Sequence, residues 1–332
     1  MDKQHAKLIS VSKRGLFALM VAGIGWPVID AAAQTYPAKP LRLVVGFSAG
    51  SAADFTGRLL AQRLSEQLGQ SIIIENRVGA GGTIATERVA TSPPDGYTLL
   101  MVTAPDTAQP ALRAQLPYSL ERDFAPVSLV AIGAFVLVVH PSVPARNVKE
   151  LIALARAHPG KLSYGSSGVG SSAHLAGELF NSMTNVSIVH VPYKGSPEVV
   201  VANAAGQIDV SFPSNVAALP LIQTGRLRPL AVPSAKRSTL MPSIPTLSES
   251  GVPGYDRYSW YGLSVPAGVP KDIVSRLNAA IVSVVNTADV KQALNRQGFE
   301  PQTNTPDQFA ALIRGEIAQN TKLIRMIGLK AE

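Results

Sequence analysis

The sequence predicts an α/β protein in two lobes, each a mainly parallel sheet flanked by helices. Three observations carry this. From Leu41 onward, short apolar runs alternate with helix-length segments, the order that builds parallel sheets covered by helices. The runs are near-continuous Val, Leu and Ile, as expected where both sheet faces are buried. The alternation stops at 123–142, an apolar stretch reading FAPVSLVAIGAFVLVVHP at its centre, and then restarts, so a second lobe begins near Phe135.

In order, the first alternation predicts strand 41–46 (LRLVVG), helix 54–68, strand 71–75 (SIIIE), helix 83–91 and strand 98–102 (TLLMV). The second predicts helix 148–158, strand 161–164, helix 172–183, strand 188–191 and helix 198–205. It continues with strand 208–212, a short helix 217–224 and strand 230–232. The segment 255–269 (YDRYSWYGLSVPAGV) is again extended and reads as a return crossing, after which helices 271–287, 288–297 and 306–327 close the chain. Two crossings make the first lobe discontinuous, 34–134 plus 259–332, with the second, 135–258, inserted in it.

The first 33 residues read as a secretory signal peptide. Lys3, Lys7, Lys13 and Arg14 precede a mostly apolar stretch 16–29, and Ala31 to Ala33 form an A-x-A site. Cleavage is expected near Ala33, delivering the chain to the periplasm; an uncleaved anchor is the alternative. No later segment approaches 18 unbroken apolar residues, so the mature chain reads as soluble. Cysteine is absent, which excludes disulfides and thiolate chemistry. The net charge of +8 is scattered, without basic runs or interleaved aromatics, and so argues against a nucleic-acid surface.

Three places share one local grammar of apolar run, Gly/Ser turn and helix: 43–56, 72–90 and 162–175. Glycine lets a backbone approach a ligand, serine supplies neutral donors, and a helix start offers unpaired N–H groups at the positive end of its dipole. A small anion suits all three turns. The candidates are Ser48, Gly50, Ser51 and Asp54 in the first, Gly81, Gly82 and Thr83 in the second, and Ser166, Ser167, Gly170, Ser171, Ser172 and His174 in the third. Tyr193 and Lys194 follow an apolar run and so lie on a C-terminal strand edge, where α/β proteins bind ligands. Asp54 also reads as a helix cap, and Lys194 as a solvated lysine. His174 reads as a donor or a packed histidine, and Trp260 and Tyr261 as a cleft wall or hinge packing.

Two motifs point elsewhere. Gly46 to Gly50 spells G-x-S-x-G between strand and helix, the setting of a hydrolase nucleophile at Ser48. A triad needs an acid and then a histidine downstream, yet the last histidine is His190 and no HGGG-like segment precedes the motif. A secreted serine hydrolase stays the alternative reading. Residues 168–173 spell G-x-G-x-x-A, but the ribose-binding acid that should follow the next strand is replaced by His190 to Tyr193. The five histidines form no H-x-x-H pattern, so no catalytic metal is expected.

Several ordered segments together resemble the Bug-type periplasmic solute-binding proteins, receptors of tripartite tricarboxylate transporters. They are YPAKPLRLVVGF at 36–47, ENRVGAGG at 75–82, PPDGYTLL at 93–100, LPYSLERDFAPV at 116–127, the long stretch at 148–180, VHVPYKGS at 189–196, GQIDV at 206–210 and PSIPTLSESGVPGY at 242–255. The resemblance implies a type II-like Venus-flytrap fold closing over a small carboxylate: a dicarboxylate, an amino acid or an aromatic acid. It implies no enzyme activity, no cofactor, a monomer, and inner-membrane transporter or sensor subunits as partners. It also implies that main-chain N–H groups, hydroxyls and waters hold the carboxylate at 48–54, 79–83, 103–107, 166–174 and 193–195, which adds Thr103. The chain departs from the family at Ala53, where a threonine is usual, and at Val78, where proline is common.

Overall fold

A computed structural model describes residues 36–113, 115–193 and 195–329. The expected signal peptide and Lys194 lie outside the described residues.

The first part of the chain forms β1 (Leu41–Val45), α1 (Ala52–Leu68), β2 (Ile72–Asn76), a 3-10 turn (Ala80–Gly82), α2 (Thr83–Ala90) and β3 (Thr98–Thr103). A second 3-10 turn (Ala104–Ala108) runs into α3 (Gln109–Leu112), and then the 123–142 stretch divides into β4 (Phe124–Gly133) and β5 (Leu137–Val139). There follow α4 (Val148–Ala157), β6 (Ser163–Ser166), α5 (Ser172–Thr184), β7 (Val189–Pro192), α6 (Ser196–Ala204), β8 (Val210–Ser211), α7 (Asn215–Gln223) and β9 (Arg228–Ala231). The last elements are β10 (Ser259–Pro266), α8 (Lys271–Val285), α9 (Ala288–Arg296), β11 (Phe299–Pro301) and α10 (Pro306–Ile327).

These strands make two sheets, ordered β11-β4-β10-β3-β1-β2 and β7-β6-β8-β5-β9. Both contain the same pattern: a parallel trio, then a strand arriving from the other sheet's side of the chain, then a further strand, with β11 added beyond it in the first sheet. β1, β2 and β3 are mutually parallel through β1, and β10 runs antiparallel between β3 and β4. Likewise β6, β7 and β8 are parallel through β6, and β5 runs antiparallel between β8 and β9. The sheets are therefore mixed rather than mainly parallel. The cause is the two crossings, since a strand that enters a sheet from the cleft side must run against the trio that ends there.

Burial follows strand alternation. Leu41, Leu43 and Val45 point into a core with Leu60 and Leu64 of α1 and Leu277 and Ile281 of α8. Val44, Leu100 and Val102 point the other way, onto Val89 of α2 and Phe309 and Ile313 of α10. Period-2 alternation with both faces covered is what makes the run wholly apolar. In the second sheet, Leu137, Val139, Tyr164 and Val210 pack on α4 and α5, while Val136 and Val138 face Ala218 of α7.

The topology also places the site. β4 is antiparallel to β10, which is antiparallel to β3, so Gly133 ends at the edge where the first trio ends. β5 is antiparallel to β8, so Leu137 begins at the edge where the second trio ends. Only residues 134–136 join them, so the C-terminal edges of the two trios face one another.

Candidate functional site

At the first sheet's edge, three turns interlock. Gly46 packs so closely that a Cβ there would lie 2.9 Å from Gly82 Cα, which ties the first turn to the second. Asn76, closing β2, donates through Nδ2 to the Phe47 carbonyl at 3.0 Å and to Asp54 Oδ1 at 2.9 Å. Asp54 Oδ2 accepts from the Gly50 N–H and from Arg58 Nε, each at 2.9 Å. Burial pushes the Asp54 carboxyl up, but the Arg58, Gly50 and Asn76 donors and the Arg58 charge outweigh it and hold it below its ordinary value. Ser51 caps α1 by accepting from Asp54 N at 3.2 Å, which leaves its hydroxyl proton free for another acceptor.

The turn that follows β3 is locked by a capping box: Asp106 Oδ2 accepts from Thr103 N at 2.7 Å and from Thr103 Oγ1 at 2.8 Å. Burial raises Asp106 to about 6 against the pull of those two donors. Gly82 sits at φ +96° with Asp106 Oδ1 2.8 Å from where a Cβ would be, so only glycine fits there. Gly81 packs on Gln109, and buried Thr83 donates to the Ala80 carbonyl at 3.1 Å.

At the second sheet's edge, Ser166 is fully buried. Its Oγ accepts from Gly168 N at 3.2 Å, donates to Gly168 O at 3.0 Å and lies 2.7 Å from His190 Nε2. Ser171 caps α5 by accepting from His174 N at 3.2 Å, so its hydroxyl proton is again free. His174 Nδ1 accepts from Gly170 N at 3.1 Å. Tyr193 is tied back by its N–H to the Ser166 carbonyl at 2.9 Å.

The two edges meet at α3. A Cβ on Gly170 would lie 2.7 Å from Leu112 Cδ1, and Leu112 shares an apolar cluster with Ala108, Leu175, Leu323 and Ile324. Beside it, a cavity with room for about one water molecule is lined by Ala104, Ser172, Leu175, Arg257, Tyr258, Glu316 and Asn320. Arg257 donates to Glu316 at 3.3 Å and to Asn320 Oδ1, while Asn320 Nδ2 donates to Thr107 Oγ1 at 2.8 Å. The main chain of Arg257 is anchored separately, its N–H donating to Pro233 O at 2.7 Å. Burial raises Glu316, opposed by the Arg257 charge and reinforced by Asp256.

The candidates thus fall into two groups. Ser48, Gly50 and Gly81 are exposed, and Ser51, Ser167, Ser171, Ser172 and Tyr193 are half-buried, all beside helix starts. Asp54, Thr103, Ser166, His174 and the Gly170 N–H spend their hydrogen bonds inside the turns. Trp260 is fully buried edge-on to Phe309 at 5.4 Å, and Tyr261 packs on Phe299, so both are packing residues of the first sheet. Among the described residues, the histidine hydrogen bonds run from His140 to Ser142, His190 to Ser166 and His174 to Gly170, and none reaches Ser48. Arg257, Glu316 and Asn320 escaped sequence reading because Arg257 and α10 lie far apart in the chain; the one available signal was the charged pair Asp256 and Arg257 at the head of a mostly apolar crossing.

Two mixed sheets joined by two crossings, with Gly/Ser turns and helix starts on their facing edges, define a two-lobed Venus-flytrap binding protein of type II-like strand order. The model of the tripartite tricarboxylate transporter family receptor matches residues 56–329, and the chain belongs to that family. It is 37% identical to the protein BugT of Bordetella pertussis over 95% of this chain and 96% of that protein. Among solved structures, an R. palustris protein with adipate, Rpa4515, is 38% identical with a TM-score of 0.77, covering 89% of this chain and 99% of that one. MatC of Rhodopseudomonas palustris, with bound malate, is 31% identical with a TM-score of 0.74, covering 87% of this chain and 100% of that one.

Proposed function

We propose that this protein is a periplasmic receptor that captures a small carboxylate between its lobes, without chemistry, and presents it to a tripartite tricarboxylate-type transporter or a sensor. The observation that carries this reading is the facing of the α1, α2 and α5 starts, each introduced by a Gly/Ser turn, across the edges that the crossings bring together. Lobe 34–134 plus 259–332 closes on lobe 135–258 by a hinge in the crossings. Ser48, Ser51, Gly81, Ser167, Ser171, Ser172, Tyr193 and Lys194 meet the ligand directly or through water. Asp54, Thr103, Ser166 and His174 hold the turns in shape. Adipate and malate, bound by relatives, set the expected ligand class.

Charge-assisted N–H bonds contribute about 1.5 to 3 kcal/mol each, so a few of them support roughly micromolar capture. Closure is driven by the ligand's contacts with both lobes, since only a difference between open and closed affinity shifts that population. A thermal-shift screen of dicarboxylates, acidic amino acids and aromatic carboxylates is expected to raise the melting temperature for at least one class, because a ligand of the native state stabilises by mass action. A flat response at millimolar concentrations across the panel contradicts the receptor reading.

A further inference from the structure

We propose that His174 and His190 are positioning residues of the second-sheet ligand turn, and that their close pair makes ligand capture depend on protonation. The proposal rests on the receptor reading above. Both ends of the turn hang on this one pair of rings. At one end His174 Nδ1 accepts the Gly170 N–H at 3.1 Å, and at the other His190 Nε2 meets Ser166 Oγ at 2.7 Å, the same oxygen that accepts from Gly168 N. The rings lie 4.0 Å apart at 35°, with Tyr164 5.0 Å from His190 and 6.4 Å from His174. Neither ring was paired with the other in the sequence, where they stand on different elements.

A hydrogen bond accepted at Nδ1 requires that nitrogen to be bare, so the network assigns His174 as the neutral Nε2–H tautomer. Protonation would turn Nδ1 into a donor aimed at the Gly170 donor, and the turn carrying Ser171 and Ser172 would have to open. Two charges on rings 4.0 Å apart also repel. The surroundings do not offset this. From β6 comes the Tyr164 hydroxyl, which donates to Glu178 of α5 at 2.7 Å, and from the segment before β10 comes Tyr255, which donates to Ala176 O at 2.6 Å. α3 presents the apolar Leu112 to Gly170, and Arg257 and Glu316 in the neighbouring cavity pair with each other. Burial, with the His190 charge adding to it, lowers His174 from 6.5 to about 4, and burial lowers His190 from 6.5 to about 4. The turn is therefore intact at neutral pH and fails on acidification.

The test follows the Gly170 amide by proton–nitrogen NMR of the protein from about pH 7.5 to about pH 3, together with adipate titrations at both ends of that range. Wild type is expected to show the amide moving in the acid half of the range. In His174→Asn, whose side-chain oxygen can stand near the Nδ1 position without titrating, the amide stays still. His190→Gln removes the opposing ring charge and should move the midpoint upward. The loss of adipate affinity on acidification should be about ten-fold larger in wild type than in His174→Asn, a ratio in which the titration of adipate itself cancels. A Gly170 amide that does not respond in wild type, or a midpoint unmoved by His190→Gln, overturns the proposal while leaving the receptor reading standing. A responding amide with no adipate or malate binding at neutral pH supports the positioning role and counts against the receptor reading instead.

Discussion

At Asp54 a single buried carboxylate gathers the Gly50 N–H, the Arg58 guanidinium and the Asn76 amide, and so fixes the first turn before any ligand arrives. Asp54→Ala leaves the Gly50 and Asn76 donors without their acceptor, and a loss of about 1 to 3 kcal/mol in urea unfolding is expected. An unchanged midpoint would mean that water replaces the carboxylate at no cost. From the sequence, a cap and a ligand contact were both open readings of Asp54. The deciding partner, Asn76, comes from another strand, and pairing across 22 residues leaves no local trace. The Gly170 N–H and Thr103 are spent on acceptors only four and three residues away, His174 and Asp106, but residue types alone do not say whether such a donor turns inward or toward a ligand. What residue types did reveal was the chemistry of the turns: glycine where φ is positive and serine at helix starts.

At the scale of elements, capping chemistry sets where helices begin. Ser51 starts α1 at Ala52, and Ser214 starts α7 at Asn215, in both cases two residues ahead of the sequence reading. Apolar periodicity marks where a helix is buried, whereas the cap marks where its first turn forms. Ser171→Ala removes the cap of α5, and a loss of about 1 kcal/mol is expected by thermal or urea unfolding. Its partner test is Ser171→Asp, which restores a capping acceptor and with it the stability, but places a negative charge where the carboxylate should sit. Recovered stability with weakened ligand binding is the expected pair of results; recovery of both would remove Ser171 from the site. Two elements were not legible. α3 has only four residues and β11 three, too short for any period to show, yet α3 supplies the Leu112 contact on which the facing turn rests.

At the scale of the molecule, the alternation of apolar runs and helices disclosed two sheets, and the single apolar stretch at 123–142 disclosed the passage between them. The direction of the crossing strands was not readable, because an apolar run is the same whether its neighbour is parallel or antiparallel. That direction is what makes the sheets mixed and brings the two trio edges face to face. Arg257 belongs to this scale as well. Its N–H is held at Pro233 and its guanidinium at Glu316 and Asn320, so one residue of the return crossing ties the second-sheet side of the chain to α10 and, through Asn320, to Thr107 of the turn after β3.

The central claim is that a carboxylate is held between these two edges, and calorimetric titration of the best-shifting carboxylate into wild type and Gly170→Val tests it most directly. Gly170 has φ +77° and Leu112 2.7 Å from its missing Cβ, so valine there both strains the turn and blocks the approach of the facing edge. The account predicts saturable binding of one ligand per chain in wild type and a loss of about ten-fold or more in the variant. Equal affinity in folded Gly170→Val, or no saturable heat from any carboxylate in wild type, would contradict it.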